Sequence, residues 1–426
     1  MIHSLSIQNF LSFKEVVTFS FEATKDKKLD DFHVVEVAKG VRLLKLGIIY
    51  GANASGKSNL INAFEFLKDF WFTTIDSKDE NTGVIPFLLD AKTSKKPSKF
   101  KLVFFVGGIK YLYILEISEN FVLFEKLDYY PGTQPANIFE RKLENNVSKI
   151  IFGPKIKVSQ IAKNEIAIKC LPNMSFFAAY NQVNTLIKDV HSAIDWMSNQ
   201  FMDTVEPKTR LVNYVEGLIS ENSEIKGNIL SYLQRADFNI SNVNVEIEKE
   251  DIPDFFISNI LESNVPTEEK ERIKKERTIN VTKTTFEHKV INEDQAESYF
   301  SLPIELQSEG TLRIFGLSGA ILTTLKRNAF LAIDEIESKL HPRLIEFVIE
   351  RFLRESEQAQ LLVTTHYDGL LEEDDLLRKD NIWFTEKNKD ASTNLYSLSD
   401  FKAVNRITSL QKAYKFGKFG AIPNIE

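Results

Sequence analysis

The sequence predicts an α/β protein, and three short stretches carry that prediction. Gly51-Ala-Asn-Ala-Ser-Gly56-Lys57-Ser58 stands between an apolar run over residues 46–50 and a helix-like segment over about 57–72. A second apolar run, residues 329–333, ends in Asp334-Glu335, and a third, 361–364, leads to His366. Strands alternating with helical stretches belong to parallel sheets, whose side chains at the carboxyl ends of the strands converge on one crevice.

In chain order, residues 2–22 and 42–50 read as β-like, the first with an alternating apolar pattern. In the loop that follows, Gly51 and Gly56 permit a tight turn that aims successive N–H groups at the phosphates of a nucleotide. Lys57 adds a positive charge, Ser58 offers a hydroxyl to Mg²⁺, and the helix start contributes about half a positive charge. Glycine is scarce, 17 in 426 residues. A chance match to this spacing is therefore on the order of one in a hundred, and nucleotide binding is favoured over a Gly-rich turn with a solvated lysine. Three apolar runs within residues 99–130, parted by Gly107-Gly108 and Glu119-Asn120, read as an antiparallel meander. A helical pattern over about 184–235 precedes a charged, less apolar stretch to about 292. Within it, residues 268–277 set opposite charges three or four apart and read as a solvated helix face rather than a nucleic-acid contact. Residues 92–101 read as a soluble loop, and there are neither repeats nor sustained heptads for a coiled-coil arm.

The later strand ends supply chemistry. A buried strand ending in two acids complements a phosphate-binding loop. Asp334 can hold Mg²⁺ through its water shell and Glu335 can orient and activate an attacking water; two solvated acids are the ordinary alternative. His366 ends a neighbouring strand, after a helix-like segment over 342–356, and would reach the γ-phosphate region. Ser308-Glu-Gly310-Thr311 precedes an amphipathic helix carrying Leu312, Phe315, Leu317 and Ile321. Free amides, a hydroxyl and a glycine suit a second anion site, although in isolation the segment is more often a plain helix cap.

Composition narrows the setting. The net charge of −7 gives no support for a chain that coats nucleic acid, so any such contact would be local. The single cysteine, Cys170, fits a reducing compartment. The start of the chain has no signal-peptide pattern, and the most apolar run, 102–117, is broken by Gly107, Gly108 and Lys110. A cytoplasmic protein without membrane contact is expected.

As an ordered set, these motifs resemble the ABC-type ATPase heads of the SMC and OLD group. Within that group the stretch "IQNFLSF", the loop "LHP" at 340–342 and the closing "YKFGKFGAIPNI" are similar to compact AAA family ATPases of bacterial anti-phage loci, of the RloA or AbiL type, related to the ATPase subunit of PARIS. The resemblance implies an ABC-type P-loop head, a mixed sheet with flanking helices and a β meander. Residues 1–139 and 300–426 would form the head, and 140–299 an inserted, mainly helical domain for a partner or trigger. Carried onto this sequence, Gly51, Asn53, Ala54, Ser55, Gly56, Lys57, Ser58 and Asn59 would surround ATP, and Ser58 and Asp334 would hold Mg²⁺. Glu335 would be the catalytic carboxylate and His366 a γ-phosphate sensor. Ser308 and Gly310 would contact ATP bound to the other subunit, Ser338 and Leu340 would lie in the inter-subunit loop, and Gln182 is a candidate Mg²⁺-binding glutamine.

The chain departs from the group at Glu309, usually Gly, at Thr311, usually Gln, and at Leu11, often basic. The resemblance implies slow ATP hydrolysis and a homodimer or higher homo-oligomer closed head to tail on ATP. It also implies a separate effector, a nuclease by expectation, in an abortive-infection system with a phage-encoded trigger. A DNA-repair or chromosome-associated SMC/RecF-like ATPase is the alternative.

Overall fold

The computed structural model describes residues 1–235, 239–262 and 267–423. Asn424 and Ile425, the end of the closing motif, lie outside the described residues. The chain divides into two compact units, residues 1–209 with 324–426, and residues 210–323.

The first unit holds a five-stranded sheet in the order Phe330–Ile333, Gln360–Thr365, Leu46–Gly51, Ile382–Lys387, Thr393–Ser397. The first four strands run parallel and the last is antiparallel. Every residue of the first three is buried, which is why they read as continuous apolar runs rather than alternating ones. The loop strand is central, with Gly47 opposite Leu362 and Ile49 opposite Trp383. Helix Lys57–Phe72 then buries Leu60, Ile61, Phe64, Leu67 and Trp71, the three- and four-residue spacing of one helix face.

Against that face lies a seven-stranded antiparallel sheet, in the order Val147–Phe152, Ala136–Glu144, Val122–Tyr130, Ile109–Ile117, Ser98–Val106, Ile2–Gln8, Val17–Ser20. Two of its hairpins turn on residue pairs with positive φ, Gly107-Gly108 and Asn145-Asn146, as two-residue hairpin loops require. Aromatic rings fill the space beneath: Trp71 stacks on Phe177 and Phe139 on Phe176, both at 3.7 Å, and Phe104 on Trp196 at 4.2 Å. Arg141 and Glu125 are fully buried and pair at 2.9 Å.

These contacts move the expected boundary. Strand Val147–Phe152 and helices Gln160–Lys169, Phe176–Tyr180 and Lys188–Asn199 belong to the first unit, because their apolar faces complete its core. The second unit therefore begins at Arg210 and not near residue 140, and it runs to Thr323 rather than 299. It carries helices Val212–Glu221 and Ser223–Arg235 and a three-stranded antiparallel sheet, Ile240–Asp251, Thr278–Ile291, Glu297–Pro303. Helices Asp254–Glu262 and Thr267–Glu276 join the first two of those strands, and Phe286 packs edge-on to Phe315 at 5.2 Å. Among the described residues no helix is long and apolar enough to cross a membrane.

Candidate functional site

The parallel strands of the five-stranded sheet bring the loop, the acids and the histidine to one end, where a cleft of about 600 Å³ opens. Asn53, Ala54, Ser55, Gly56, Lys57, Ser58, Asn59, Glu335 and His366 all line it. Gly51 and Gly56 are required by space. A Cβ on Gly51 would come within 2.4 Å of Thr385 Oγ1, and one on Gly56, where φ is +105°, within 2.3 Å of Thr393 Oγ1. Gly56 provides no side-chain cap, and the first amides of the helix it precedes have no intrahelical carbonyl to meet.

Lys57 is buried, and its Nζ donates to the carbonyls of Gly51 (2.9 Å) and Ala52 (3.2 Å) and lies 3.0 Å from His366 Nε2. Burial pulls the lysine pKa below its usual range, against the opposing pull of Asp334, Glu335 and Glu337. The His366 pKa is likewise lowered, by burial first and then by the Lys57 charge, so the ring is neutral at pH 7 and can accept from the ammonium.

Ser58 Oγ donates to Asp334 Oδ2 at 2.7 Å, while Thr364 Oγ1 donates to Asp334 Oδ1 at 2.5 Å. A hydroxyl and a carboxylate set side by side are hard oxygen donors of the kind Mg²⁺ takes. Among the described residues no three His, Cys, Asp or Glu side chains are grouped to hold a metal. An ion here would complete its shell with phosphate oxygens and water. Glu335 adopts a left-handed backbone, φ 47°, uncommon for a non-glycine residue, with its amide on Thr364 Oγ1 at 2.8 Å. That kink at the strand end turns its carboxyl into the cleft.

Several contributors escaped the sequence reading. Ser12, Thr385 and Thr393 brace the loop: Ser55 Oγ meets Thr385 Oγ1 at 2.7 Å, Thr393 Oγ1 donates to Ser55 O at 2.8 Å, and Asn59 Nδ2 donates to Ser12 Oγ at 2.7 Å. Glu337 accepts from the His366 amide at 2.6 Å, and its other oxygen is buried without a partner among the described residues. The doubled acid pattern Asp334-Glu335-Ile336-Glu337 was the one signal available for it. Lys387 also lines the cleft.

Other expectations fall elsewhere. Gln182 is not in this cleft; its amide donates to Ala178 O at 3.3 Å and lies against Met174 Sδ, so it takes no part in this cluster. Leu11 does line the cleft. Ser308 belongs to the second unit, where its Oγ accepts from the Thr311 amide at 3.1 Å and so caps helix Glu309–Arg327. Gly310 follows in the first turn of that helix. The "LHP" loop ends as His341 Nδ1 accepts from the Arg343 amide at 3.3 Å, with Pro342 opening helix Pro342–Glu355.

Fold and cleft together define a P-loop protein of the α/β class. The chain belongs to the family described as "AAA domain, putative AbiEii toxin, Type IV TA system", which it matches over residues 47–145 and 209–372, well over half its length. Among solved structures it is similar to the SMC head domain from Thermotoga maritima, at 12% identity over 93% of this chain and 98% of that one, TM-score 0.42. It is also similar to an SmcHead bound to the C-winged helix domain of ScpA, at 12% identity over 94% and 99%, TM-score 0.43. A third is an Smc head domain with an extended coiled coil, bound to the C-terminal domain of ScpA derived from Pyrococcus furiosus, at 13% identity over 98% of each chain, TM-score 0.40. These overlaps are loose. No curated protein matches the chain.

Proposed function

We propose that the protein is an ATP-binding and hydrolysing switch subunit of a bacterial anti-phage system, of the RloA or AbiL type and related to PARIS, that controls a separate effector, by expectation a nuclease. The convergence of Lys57, Ser58, Asp334, Glu335 and His366 on one cleft is the observation that carries this reading. The family description, which names a putative AbiEii toxin, favours a defence setting over DNA repair.

In this reading the loop amides and Lys57 take the β- and γ-phosphates, which displace the lysine from the Gly51 and Ala52 carbonyls and from His366. Released from the lysine, neutral His366 would donate to the γ-phosphate once its proton has moved to Nε2. Ser58 and Asp334 hold Mg²⁺, which when bound neutralises charge building on the phosphate oxygens. Glu335 accepts a proton from the attacking water, and Glu337 holds the His366 backbone in place. Ser308 and Gly310 of a second copy close over the γ-phosphate, so ATP joins two heads and hydrolysis parts them. The second unit, residues 210–323, is where a trigger or effector docks.

Light scattering tests the switch. Glu335→Gln keeps the side chain's size but cannot take the proton, so it should dimerise on ATP and stay closed. Adding Ser308→Arg sets bulk and positive charge at a helix N-terminus and should leave ATP bound to monomers. A mass indifferent to ATP in the single variant, or equal closure in both, would exclude an ATP-sandwiched dimer.

A further inference from the structure

The cleft has one wall that phosphate chemistry does not use. Besides the loop residues it is lined by Leu11 and the consecutive residues Ile85, Pro86, Phe87, Leu88 and Leu89, none with a side-chain donor or acceptor. Ile85, Leu88 and Leu89 are 48%, 65% and 68% exposed. Scattered exposed leucines need no explanation, but these are contiguous and held in place.

The holding is specific. Asn9, 2% exposed and itself at positive φ (53°), accepts from the Phe87 amide at 3.0 Å and donates to the carbonyls of Thr93 (3.0 Å) and Lys96 (2.8 Å). The Leu11 amide donates to Ile85 O at 2.9 Å, the Phe87 ring is buried, and Lys14 pins the far end through Asp90 at 3.1 Å. One buried asparagine thus fixes a strip whose outer face is apolar and wet, and whose inner edge continues the phosphate cleft. Ordering exposed aliphatic side chains costs free energy unless a ligand uses them.

We propose that this strip, Leu88 and Leu89 included, is the wall against which the base of the nucleotide lies, and that it takes adenine and guanine alike. The proposal rests on the reading of the loop as a phosphate site. A flat, largely apolar base extending from phosphates held at Gly51–Ser58 meets a fixed aliphatic surface within the same cavity. An apolar wall can gain from burying a base but cannot strongly reject one that differs only in its polar edge groups.

Calorimetric titration in Mg²⁺ with ATP, GTP and inorganic tripolyphosphate separates the parts. In the unaltered protein ATP and GTP should bind within about threefold of each other, as apolar contact dictates. In the double variant Leu88→Ser with Leu89→Ser both nucleotides should weaken by about tenfold or more, the loss expected when one aliphatic side chain's worth of burial is removed, while tripolyphosphate binds as before. Both leucines are exposed, so the core is untouched. Unchanged nucleotide affinity in the double variant, loss of one purine nucleotide alone, or equal loss of tripolyphosphate would each overturn the base wall. Unchanged ATP affinity combined with a weakened Glu335→Gln dimer would assign the strip to the partner copy instead. Should none of the three ligands bind, or should Lys57→Ala leave their affinity unchanged, the phosphate-site reading itself has failed.

Discussion

The two ends of the five-stranded sheet both carry charged side chains, yet they differ in how that charge is spent. At the end where the parallel strands begin, Arg378 directs all five guanidinium donors inward, to Asp380 (2.9 and 2.8 Å), Asp30 (2.8 Å), Asp26 O (2.9 Å) and Lys28 O. Asn381 donates to Leu46 O at 2.8 Å, and Gln360 bonds the backbone of Ile2 and Leu44. A cleft of about 450 Å³ lies there too, beside Arg378 and Ile382. At the opposite end a helix starts without a side-chain cap, Glu337 keeps one buried oxygen unpaired among the described residues, and Lys57 rests on loop carbonyls that a phosphate can replace. The Arg378 network holds the fold together, whereas the loop end keeps a lysine on carbonyls that a ligand can replace. The presence of a cleft does not distinguish them.

Damage at the two ends should separate cleanly. Arg378→Ala strands Asp380, which is 5% exposed, and should lower unfolding stability by about 3–5 kcal/mol while leaving ATP affinity within about threefold. Chemical denaturation and calorimetry would read both; a loss of binding with intact stability would erase the distinction. His33 offers a sharper version at the same end. Burial, reinforced by the Arg378 charge, brings its pKa down to about 4. The unfolded chain takes a proton near pH 6.5 and the folded one does not until about 4, so stability is full above 6.5 and falls as pH drops through that window. The loss should reach about 3 kcal/mol, and His33→Gln should lack that component. Urea midpoints at pH 7 and pH 4.5 for the two proteins give the difference directly. At the other end Lys57→Ala should weaken ATP by about a hundredfold, about 2.7 kcal/mol, with an unfolding midpoint equal or higher because a buried charge is gone.

How far these ends could be read beforehand depends on chain distance. The apolar runs over 46–50, 329–333 and 361–364 and the motifs that follow them are local patterns, and the structure gathers Lys57, Glu335 and His366 from those motifs at one cleft. Ser12, Thr385 and Thr393 are hydroxyls with no motif of their own, and only strand pairing sets them beside the loop. The boundary at residue 140 failed for a related reason. Helix Phe176–Tyr180 is short and wholly buried, so no amphipathic stripe marks it as part of the first core. In the second unit the strand Glu297–Pro303 leaves Tyr299, Phe300 and Leu302 exposed, and its neighbours carry charges on their outward faces, so the apolar alternation that marks a half-buried sheet is weak.

The bracing of the phosphate loop also sets a timetable for synthesis. Ser55 and Thr385, which meet through their hydroxyls, are 330 residues apart, and at about 5–20 residues per second a ribosome needs roughly 15 to 65 s to travel between them. Both strands that flank Leu46–Gly51, Gln360–Thr365 and Ile382–Lys387, are made only as that interval closes. During that interval the nascent chain carries the glycine-rich motif without the strands that shape it, and its central strand has both edges open. A polypeptide released before Thr393 would lack the hydroxyl that packs against Gly56.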